Sequence, residues 1–273
     1  MRNSHVTVRS SDAGFFSGVD DIVQSFVRTP LWITLGWYDF ELQYRRAFIG
    51  PLWEIIIVAV WVAGLGLLFG RLLGHDQDDY LVYMASGVVL WQYVSSTLTT
   101  GANVFVANSR QIVSVNNPLF TYVLRNVIEH LAKLSIHSLV FIAVMVLTRT
   151  PVEPVMLLAV PGLVVLVFTT LWVVPLLGFI GARFRDFTHL LRAGMRFLFF
   201  ATPVFWYADG LNDREFLANY NPFSHFLEIV RAPLIGEPAS LTSWAVVLLI
   251  NVVGLSIMCV LYNRLRRALT LWI

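Results

Sequence analysis

Residues 52–70 read LWEIIIVAVWVAGLGLLFG, and Glu54 is the only charged side chain among them. A helix needs about 20 predominantly apolar residues to cross the hydrocarbon core of a bilayer, and this segment has that length. The composition of the whole chain agrees, since 57% of its 273 residues are hydrophobic and only 13% are charged. Soluble domains carry about 25% charged residues, so the sequence indicates an integral membrane protein.

Five further stretches along the chain are apolar enough, or nearly so, to form membrane spans. They lie at about 80–100, 130–148, 155–182, 188–207 and 244–263. Pro161 and Pro175 fall inside the fourth span and Pro203 interrupts the fifth. Prolines of this kind kink membrane helices without excluding them. We therefore predict an all-α integral membrane fold with six transmembrane helices and no soluble domain.

The distribution of basic residues tests the number of spans. Most of the 19 Lys and Arg residues fall in the N-terminal segment, the loops after spans 2 and 4, and the C-terminus. The opposite side holds only Arg71, Arg149, Arg214 and Arg231. Cytoplasmic loops are enriched in Lys and Arg, and this alternation requires an even number of spans. The sequence therefore predicts that both termini lie in the cytoplasm.

Residues 1–50 are predicted to form a cytoplasmic interface segment ahead of a membrane domain at 51–273. Apolar residues recur at helical spacing in its first part, while Asp20, Asp21 and Gln24 fall on the opposite face. The apolar set is Phe15, Phe16, Val19, Ile22, Val23, Phe26 and Val27. This pattern is typical of an amphipathic helix in the membrane interface. A simple anchor and a role in coupling to a partner both remain open.

The junction at 44–54 reads YRRAFIGPLWE. Gly50 and Pro51 predict a helix start, because proline at the first helical position gives up no intrahelical hydrogen bond. Arg45 and Arg46 are interpreted in three ways: as ordinary charges at the membrane surface, as partners that neutralise Glu54, or as contacts for lipid phosphates or an anionic substrate headgroup.

Residues 101–118 read GANVFVANSRQIVSVNNP and are too polar to span. The Asn116-Asn117-Pro118 end predicts the cap and restart of a helix. The segment is either a plain cytoplasmic loop or a short helix that meets another protein.

The stretch at 197–238 is the most unusual part of the sequence. Span 5 ends in FLFFATPVFWY, an acidic linker follows, and then the chain reads NPFSHFLEIVRAPLIGEP. Asn221 can cap a helix that begins at Pro222 and ends before Gly236, and this helix is too short to cross the bilayer. It is predicted to be re-entrant or interfacial on the outer side. The aromatic residues of span 5 either face lipid or line a pathway.

Nothing in the sequence indicates catalysis or a bound metal. Glu129, His130, Lys133 and His137 cluster at the start of span 3, but two histidines make no complete ligand set. The outward acids Asp76, Asp78 and Asp79 are interpreted as a solvated loop. No GxxxxGK[ST] motif is present, so no ATP site is expected in this chain. A net charge of +2 does not suggest a nucleic-acid partner.

Taken in order, these features resemble the permease subunit of polysaccharide ABC exporters of the O-antigen, capsule and teichoic-acid type. The resemblance covers nearly the whole chain and depends chiefly on YRRAFIGPLWE before span 1 and ATPVFWY…NYNPFSHFLEIVRAPLIGEP after span 5. It implies an ABC-2 type membrane domain that forms a homodimer in the bacterial inner or plasma membrane. It also implies two copies of a separate ATPase that binds ATP and Mg²⁺, and a glycan substrate carried on undecaprenyl diphosphate.

The resemblance also assigns roles to particular residues. Contact with the ATPase falls to a coupling helix near 105–117, with Asn108, Ser109, Arg110, Gln111, Asn116 and Asn117. An outer gate involves Pro203, Trp206, Asn221, Pro222 and Phe223. The substrate pathway involves Arg45, Arg46, Trp61, Phe197 and Phe200.

Two other functions are compatible with six spans. An ABC permease for a drug or small lipid usually lacks the NPF-containing segment found here. A membrane enzyme of cell-envelope glycan assembly would need a carboxylate or arginine set in large loops, and the outer loop at 208–243 is mostly occupied by that same segment.

Overall fold

The computed structural model describes residues 17–73, 77–207 and 216–273, and these ranges form helices and connections without a strand. The all-α prediction is therefore confirmed for the described chain. Phe15, Phe16, Asp76 and the acidic linker at 208–215 lie outside the described residues. The helices are α1 Ser17–Val27, α2 Thr29–Tyr44, α3 Leu52–Leu73, α4 Gln77–Gly101, α5 Val104–Ala107, α6 Ser109–Ser114, α7 Phe120–Thr148, α8 Ala159–Arg183, α9 Phe187–Ala201, α10 Phe216–Asn219, α11 Pro222–Leu234 and α12 Leu241–Leu269, with a 3-10 turn at Pro154–Leu158 before α8.

Four helical segments of the described chain are long and apolar enough to cross a membrane. They are Leu52–Gly70, Phe120–Thr148, Pro154–Arg183 and Leu241–Leu269. The other two predicted spans correspond to α4, which is long but more polar, and to α9, which has 15 residues. At 1.5 Å per residue α9 covers about 22 Å, less than the about 30 Å of hydrocarbon. The count of six spans therefore stays a prediction.

The structure defines the ends of two predicted spans more closely. The third was predicted at 130–148 with a helical stretch ahead of it from near Pro118, and both belong to the single helix α7, which begins at Phe120. The fifth was predicted at 188–207 with a break near Pro203, and α9 ends at Ala201, after which the chain continues without a helix to Tyr207.

The predicted helix starts after Gly50, Pro118 and Asn221 agree with the structure, but the cap predicted at Asn116-Asn117-Pro118 is wrong, because the N-cap of α7 is Leu119 and makes no side-chain capping hydrogen bond. Gly50 has a φ of +57°, a left-handed backbone conformation that residues other than glycine rarely adopt. Helix α3 begins two residues later. Asn221 accepts a hydrogen bond at 3.0 Å from the Phe223 backbone N–H, with Pro222 in the first turn of α11. Ser240 caps α12 in the same manner through the Ser243 N–H.

Helix α4 forms the centre of the molecule and packs against α3, α7, α8 and α11. Most of its residues are buried, including Tyr80 and Tyr93. Several of its polar residues bond within the helix, since Ser96 and Thr100 donate to carbonyls one turn earlier. Gly87 brings its backbone close to another segment: a Cβ there would lie 2.6 Å from the Val204 carbonyl oxygen.

Helix α1 is amphipathic as predicted, but its orientation is the reverse of that of a helix on a soluble protein. Asp21 and Ser25 of its polar side are buried against the protein, whereas Val19, Val23 and Val27 are exposed. A face of exposed valines is suited to the apolar boundary of a bilayer.

Candidate functional site

The break after α9 leaves backbone carbonyls without helical partners, and tyrosines of α4 satisfy several of them. Tyr80 donates its hydroxyl hydrogen to the Phe205 carbonyl at 2.5 Å. The Tyr83 hydroxyl lies 3.1 Å from the Pro203 carbonyl oxygen and 2.9 Å from that of Trp206. Irregular backbone at membrane depth is tolerated only where protein or water satisfies it, and these two side chains provide that function here.

Helix α11 holds the same segment from its other side. Asn221 donates to the Ala201 carbonyl at 3.2 Å and to the Thr202 hydroxyl at 2.8 Å. Arg231, which is only 7% exposed, donates to the Pro203 carbonyl, and its guanidinium carbon lies 4.0 Å from the centre of the Tyr83 ring. A buried arginine needs such partners because desolvation of an unpaired charge is costly.

Aromatic rings pack around the break as well. Phe205 stacks on Phe199 at 5.6 Å between ring centres and meets Phe69 at 5.2 Å. The Tyr207 ring lies 4.1 Å from that of Tyr83. Ring pairs at such distances contribute about 0.5–1.5 kcal/mol each beyond the burial of their area. The C-terminal end of α9 is thus closed by a small network of hydrogen bonds and ring contacts.

The exposed side of the molecule next to this closure is aromatic. Trp61 of α3 is 47% exposed, and Phe197 and Phe200 of α9 are 72% and 63% exposed. The Trp61 ring lies 6.1 Å from that of the half-buried Phe199, so α3 and α9 are neighbours along this face. In a single chain this surface is open to lipid, to a second copy or to a solute.

A second region lies at the opposite end of α4, where the chain forms two short helices rather than one. Helix α5 is anchored by the buried Phe105, whereas α6 has no buried residue. Arg110 is exposed and Val113 is 70% exposed. Exposed apolar and basic side chains on a short, anchored helix are suited to contact with another protein. We refer to residues 104–117 as the docking segment.

Hydrogen bonds from neighbouring helices fix the docking segment in place. Arg125 of α7 donates to the Gln111 side chain at 2.8 Å, and the same arginine forms an ion pair with Asp39 of α2. Arg28, which follows α1, reaches the Asn117 side chain at 3.4 Å. Any force on this segment is therefore transmitted directly to α1, α2 and α7.

The carboxylate of Asp21 in α1 joins three parts of the chain just after the docking segment. It accepts hydrogen bonds at 3.0 Å from the backbone N–H groups of Leu119 and Phe120, which are free donors at the start of α7. It also accepts from the Tyr262 hydroxyl and from Arg266 of α12, both at 2.8 Å. One buried carboxylate thus connects α1, the start of α7 and the end of α12.

A polar cavity of about 210 Å³ lies between the docking segment and the membrane helices. Asn108 of the docking segment, Arg125 and Asn126 of α7, and Arg192 of α9 are among its lining residues. Asn126 is buried and donates to Thr100, while its side-chain oxygen has no hydrogen-bond partner among the described residues. The cavity therefore has room and unmet hydrogen-bonding capacity for water or a polar ligand.

The sequence profile of the ABC-2 type transporter family matches residues 30–235, which is most of the chain. The chain belongs to this family. The matched range includes the docking segment, the break after α9 and helix α11. The family resemblance inferred from the motifs around spans 1 and 5 is confirmed.

Characterised relatives of this ABC-2 type chain are similar over a comparable length. The O-antigen export system permease protein RfbA of Klebsiella pneumoniae is 23% identical over 195 residues, which is 69% of this chain and 74% of the relative. The protein of the same name from Myxococcus xanthus is 25% identical over 196 residues, covering 70% of this chain and 75% of the relative.

The structure of this ABC-2 type chain brings most of the predicted gate residues together. Pro203 and Asn221 belong to the closure, Pro222 begins α11, and the Phe223 ring lies 5.7 Å from that of Trp91 in α4. Trp206 instead turns back and donates its indole N–H to the Phe200 carbonyl at 3.1 Å. Their action as a gate stays a prediction.

Arg45 and Arg46 are exposed at the end of α2, and neither forms an ion pair within the described ranges. The interpretation that they neutralise Glu54 is wrong, because Glu54 bonds to the Tyr44 hydroxyl and to His137 at 2.8 Å. Burial and that hydrogen bond raise the pKa of Tyr44 well above its usual range. The two arginines therefore remain available to a ligand.

Sequence reasoning missed Tyr80, Tyr83 and Asp21. A signal existed for Arg231, since a charge inside an apolar segment marks a functional position. No local signal marks the two tyrosines or the carboxylate, because their partners lie far away along the chain. The two histidines of α7 hydrogen-bond within the protein, and the described residues contain no cluster of three metal-binding side chains.

Proposed function

We propose that this chain is the membrane permease of an ATP-driven exporter that moves a lipid-linked polysaccharide out across the bacterial inner or plasma membrane. The observation that carries the proposal is the closure at the outer end of α9. There, a helix too short to cross ends in backbone whose carbonyls accept hydrogen bonds from Tyr80 and Tyr83 of α4, from Asn221 and from Arg231 of α11. Such a closure can open by exchanging hydrogen bonds, without unfolding a helix.

The similarity to proteins named O-antigen export permeases supports a glycan as the cargo. Undecaprenyl diphosphate is the proposed carrier, and the polymer passes along the exposed aromatic face of Trp61, Phe197 and Phe200. Aromatic rings stack on sugars and make contacts of low specificity, which suits a polymer that must slide. Arg45 and Arg46 contact the carrier phosphates at the cytoplasmic entrance.

The working assembly is proposed to contain two copies of this chain and two copies of a separate ATPase. All six predicted spans are used, with both termini in the cytoplasm. The docking segment receives the ATPase through the exposed Arg110 and Val113, with Asn108, Ser109, Gln111, Asn116 and Asn117 around them. ATP and Mg²⁺ bind to the partner, and this chain performs no chemistry of its own.

Depletion of this chain in its own host tests the proposal. We expect undecaprenyl-linked polymer to accumulate on the cytoplasmic side while surface glycan falls, and the chain to co-purify with an ABC ATPase. Accumulation of a small lipid or sensitivity to a drug, with normal surface glycan, would instead indicate the smaller-cargo permease. Failure to recover any ATPase partner would overturn both.

A further inference from the structure

Helix α9 presents a basic stripe on its exposed face. His189, Arg192, Arg196 and Phe200 follow one another at intervals of three or four residues, which places them on one side of a helix. All four are exposed. The opposite side carries Met195, which is buried in the hydrophobic core. Helix α9 is therefore amphipathic, although it occupies the position of a membrane helix.

The arginines of this stripe differ from the three arginines that hold the fold together in having no partner among the described residues. Arg125, Arg231 and Arg266 are held by Asp39, the Pro203 carbonyl and Asp21. For Arg192 and Arg196, in contrast, no ion pair or hydrogen bond is found within residues 17–73, 77–207 and 216–273. Their charges are presented outward rather than used to hold the fold together.

The position of Arg196 along α9 argues against a simple surface role. It lies nine residues after Phe187, which is about 13.5 Å along the helix at 1.5 Å per residue. If α9 enters the bilayer near its first residue, Arg196 lies almost halfway through the about 30 Å of hydrocarbon. Arginine at such a depth faces a polar path or a bundle interior, since lipid chains do not solvate it.

A second copy of this chain would not by itself neutralise the arginines of this stripe. If two α9 helices faced each other, four arginines would approach, and like charges repel more strongly away from bulk water. An anion between them would remove this cost. Guanidinium groups are suited to phosphate because their planar fork can donate two parallel hydrogen bonds.

We propose that Arg192 and Arg196 bind the diphosphate of a polyprenyl carrier, with Phe200 placed one turn further to contact the first sugar. This inference rests on the proposed function and names the part of its pathway that recognises the carrier. It differs from the entrance role of Arg45 and Arg46, because those residues precede α3 and lie on another helix.

The position of Arg192 also connects this site to the docking segment. Arg192 lines the polar cavity together with Asn108, and the unpartnered side-chain oxygen of Asn126 belongs to the same cavity. A diphosphate held by Arg192 therefore sits one cavity away from the proposed ATPase contact. Occupancy of the site is expected to change the rate of ATP hydrolysis in the assembled complex.

Binding by the purified complex of this chain with its ATPase tests the site. The probes are undecaprenyl diphosphate, undecaprenyl monophosphate and phosphatidylglycerol. The variants are Arg192→Ala, Arg196→Ala, the double Ala variant and the double Lys variant. Arg264→Ala, an exposed arginine at the end of α12, is the matched control.

We expect the double Ala variant to lose at least about tenfold in affinity for the diphosphate, because two charge-assisted contacts are removed. Phosphatidylglycerol binding and the thermal unfolding midpoint should not change, nor should any property of the control. The Lys variant should recover part of the affinity, because it keeps the charge but not the fork. Diphosphate stimulation of ATP hydrolysis should fall in parallel with affinity.

Three outcomes would overturn the proposal: unchanged diphosphate affinity in the double Ala variant, an equal loss for phosphatidylglycerol, or an equal loss in the Arg264 control. The proposed function fails separately. If depletion leaves surface glycan normal while the arginines still bind diphosphate, the proposed polysaccharide cargo is wrong and the proposed diphosphate site is retained. If export is confirmed but the double Ala variant binds and exports normally, the site is wrong and the function stands.

Discussion

The closure after α9 and the docking segment are both short, irregular pieces of chain between long helices, yet they are built in opposite ways. In the closure, the backbone carbonyls of Pro203 and Phe205 are satisfied by side chains from the interior. In the docking segment, interior residues such as Arg125 hold the ends while α6 itself stays uncovered. The closure stays shut until its hydrogen bonds are exchanged, whereas the docking segment is accessible to another protein.

The largest expected effect comes from the carboxylate that anchors the docking end. Asp21→Ala removes the carboxylate that accepts from two backbone N–H groups at the start of α7 and that pairs with the partly buried Arg266. We expect a loss of about 3–5 kcal/mol in the free energy of unfolding, as for other broken buried ion pairs, together with loss of coupling to ATP hydrolysis. Thermal unfolding in detergent and ATPase assays of the complex measure both.

The neighbouring Asp20 provides the control for this prediction. It is exposed and its carboxylate bonds only to Gln24 one turn later. Asp20→Ala should change the free energy of unfolding by no more than about 0.5 kcal/mol, as is usual for surface substitutions. Equal unfolding midpoints for the two variants would show that Asp21 does not anchor this end of the molecule.

The closure should be most sensitive to Arg231. Arg231→Met keeps the length and apolar stem of the side chain but removes the charged donor to the Pro203 carbonyl. Hydrogen bonds to charged groups contribute about 1.5–3 kcal/mol, so we expect a loss of stability in that range and a looser closure. Thiol labelling reports the loosening: Val204→Cys, buried in the native chain, should react faster in the Arg231→Met background.

Labelling requires that the natural Cys259 be replaced by Ser, because that thiol is exposed. Phe197→Cys, at an already exposed position of α9, gives the reference rate. If the thiol introduced at position 204 stays equally protected when Arg231 is replaced, Arg231 does not hold the closure shut.

The two tyrosines of α4 should contribute similarly to the closure. Tyr83 has one hydroxyl hydrogen to share between the Pro203 and Trp206 carbonyls, and Tyr80 donates its own to the Phe205 carbonyl. At about 1 kcal/mol per hydrogen bond, Tyr83→Phe and Tyr80→Phe should each lower the free energy of unfolding by about that amount. An unchanged unfolding midpoint in either variant would show that its hydroxyl does not stabilise the closure.

The smallest effect on stability is expected in the docking segment. Val113→Asp changes an exposed side chain, so the free energy of unfolding should move by less than about 0.5 kcal/mol. Co-purification of the ATPase should nevertheless fall sharply, since a buried unpaired carboxylate is unfavourable in a protein contact. Val152→Asp, exposed at the other end of the molecule, is the control and should leave ATPase recovery unchanged.

These two regions also show how far the sequence alone could lead. Periodicity and capping residues identified the helices, the cap at Asn221 and the end of a predicted span near Pro203. They could not find the partners of that broken end, because Tyr83 reaches Pro203 across 120 residues of sequence. The same applies to Asp21, which looks like an ordinary polar-face residue until α7 and α12 are placed beside it.

The start of α7 illustrates the second limit. Hydropathy marks only the apolar part of a membrane helix, so the helical stretch from near Pro118 was predicted ahead of the span at 130–148 and not as part of it. In the structure the two form one helix, and its polar residues have partners on neighbouring helices: Asp39 pairs with Arg125, and Thr100 accepts from Asn126. Hydropathy averaged along the sequence does not reveal which polar side chains have hydrogen-bond partners on neighbouring helices.

The exposed valines of α1 give the bilayer a means of acting on this molecule. A helix whose apolar side points away from the protein is suited to the apolar boundary of the bilayer, where its position depends on the packing of the surrounding lipids. Asp21 connects this helix to the first turn of α7, which follows the docking segment, and to the end of α12. A change of lipid packing around α1 is therefore expected to reach the docking segment.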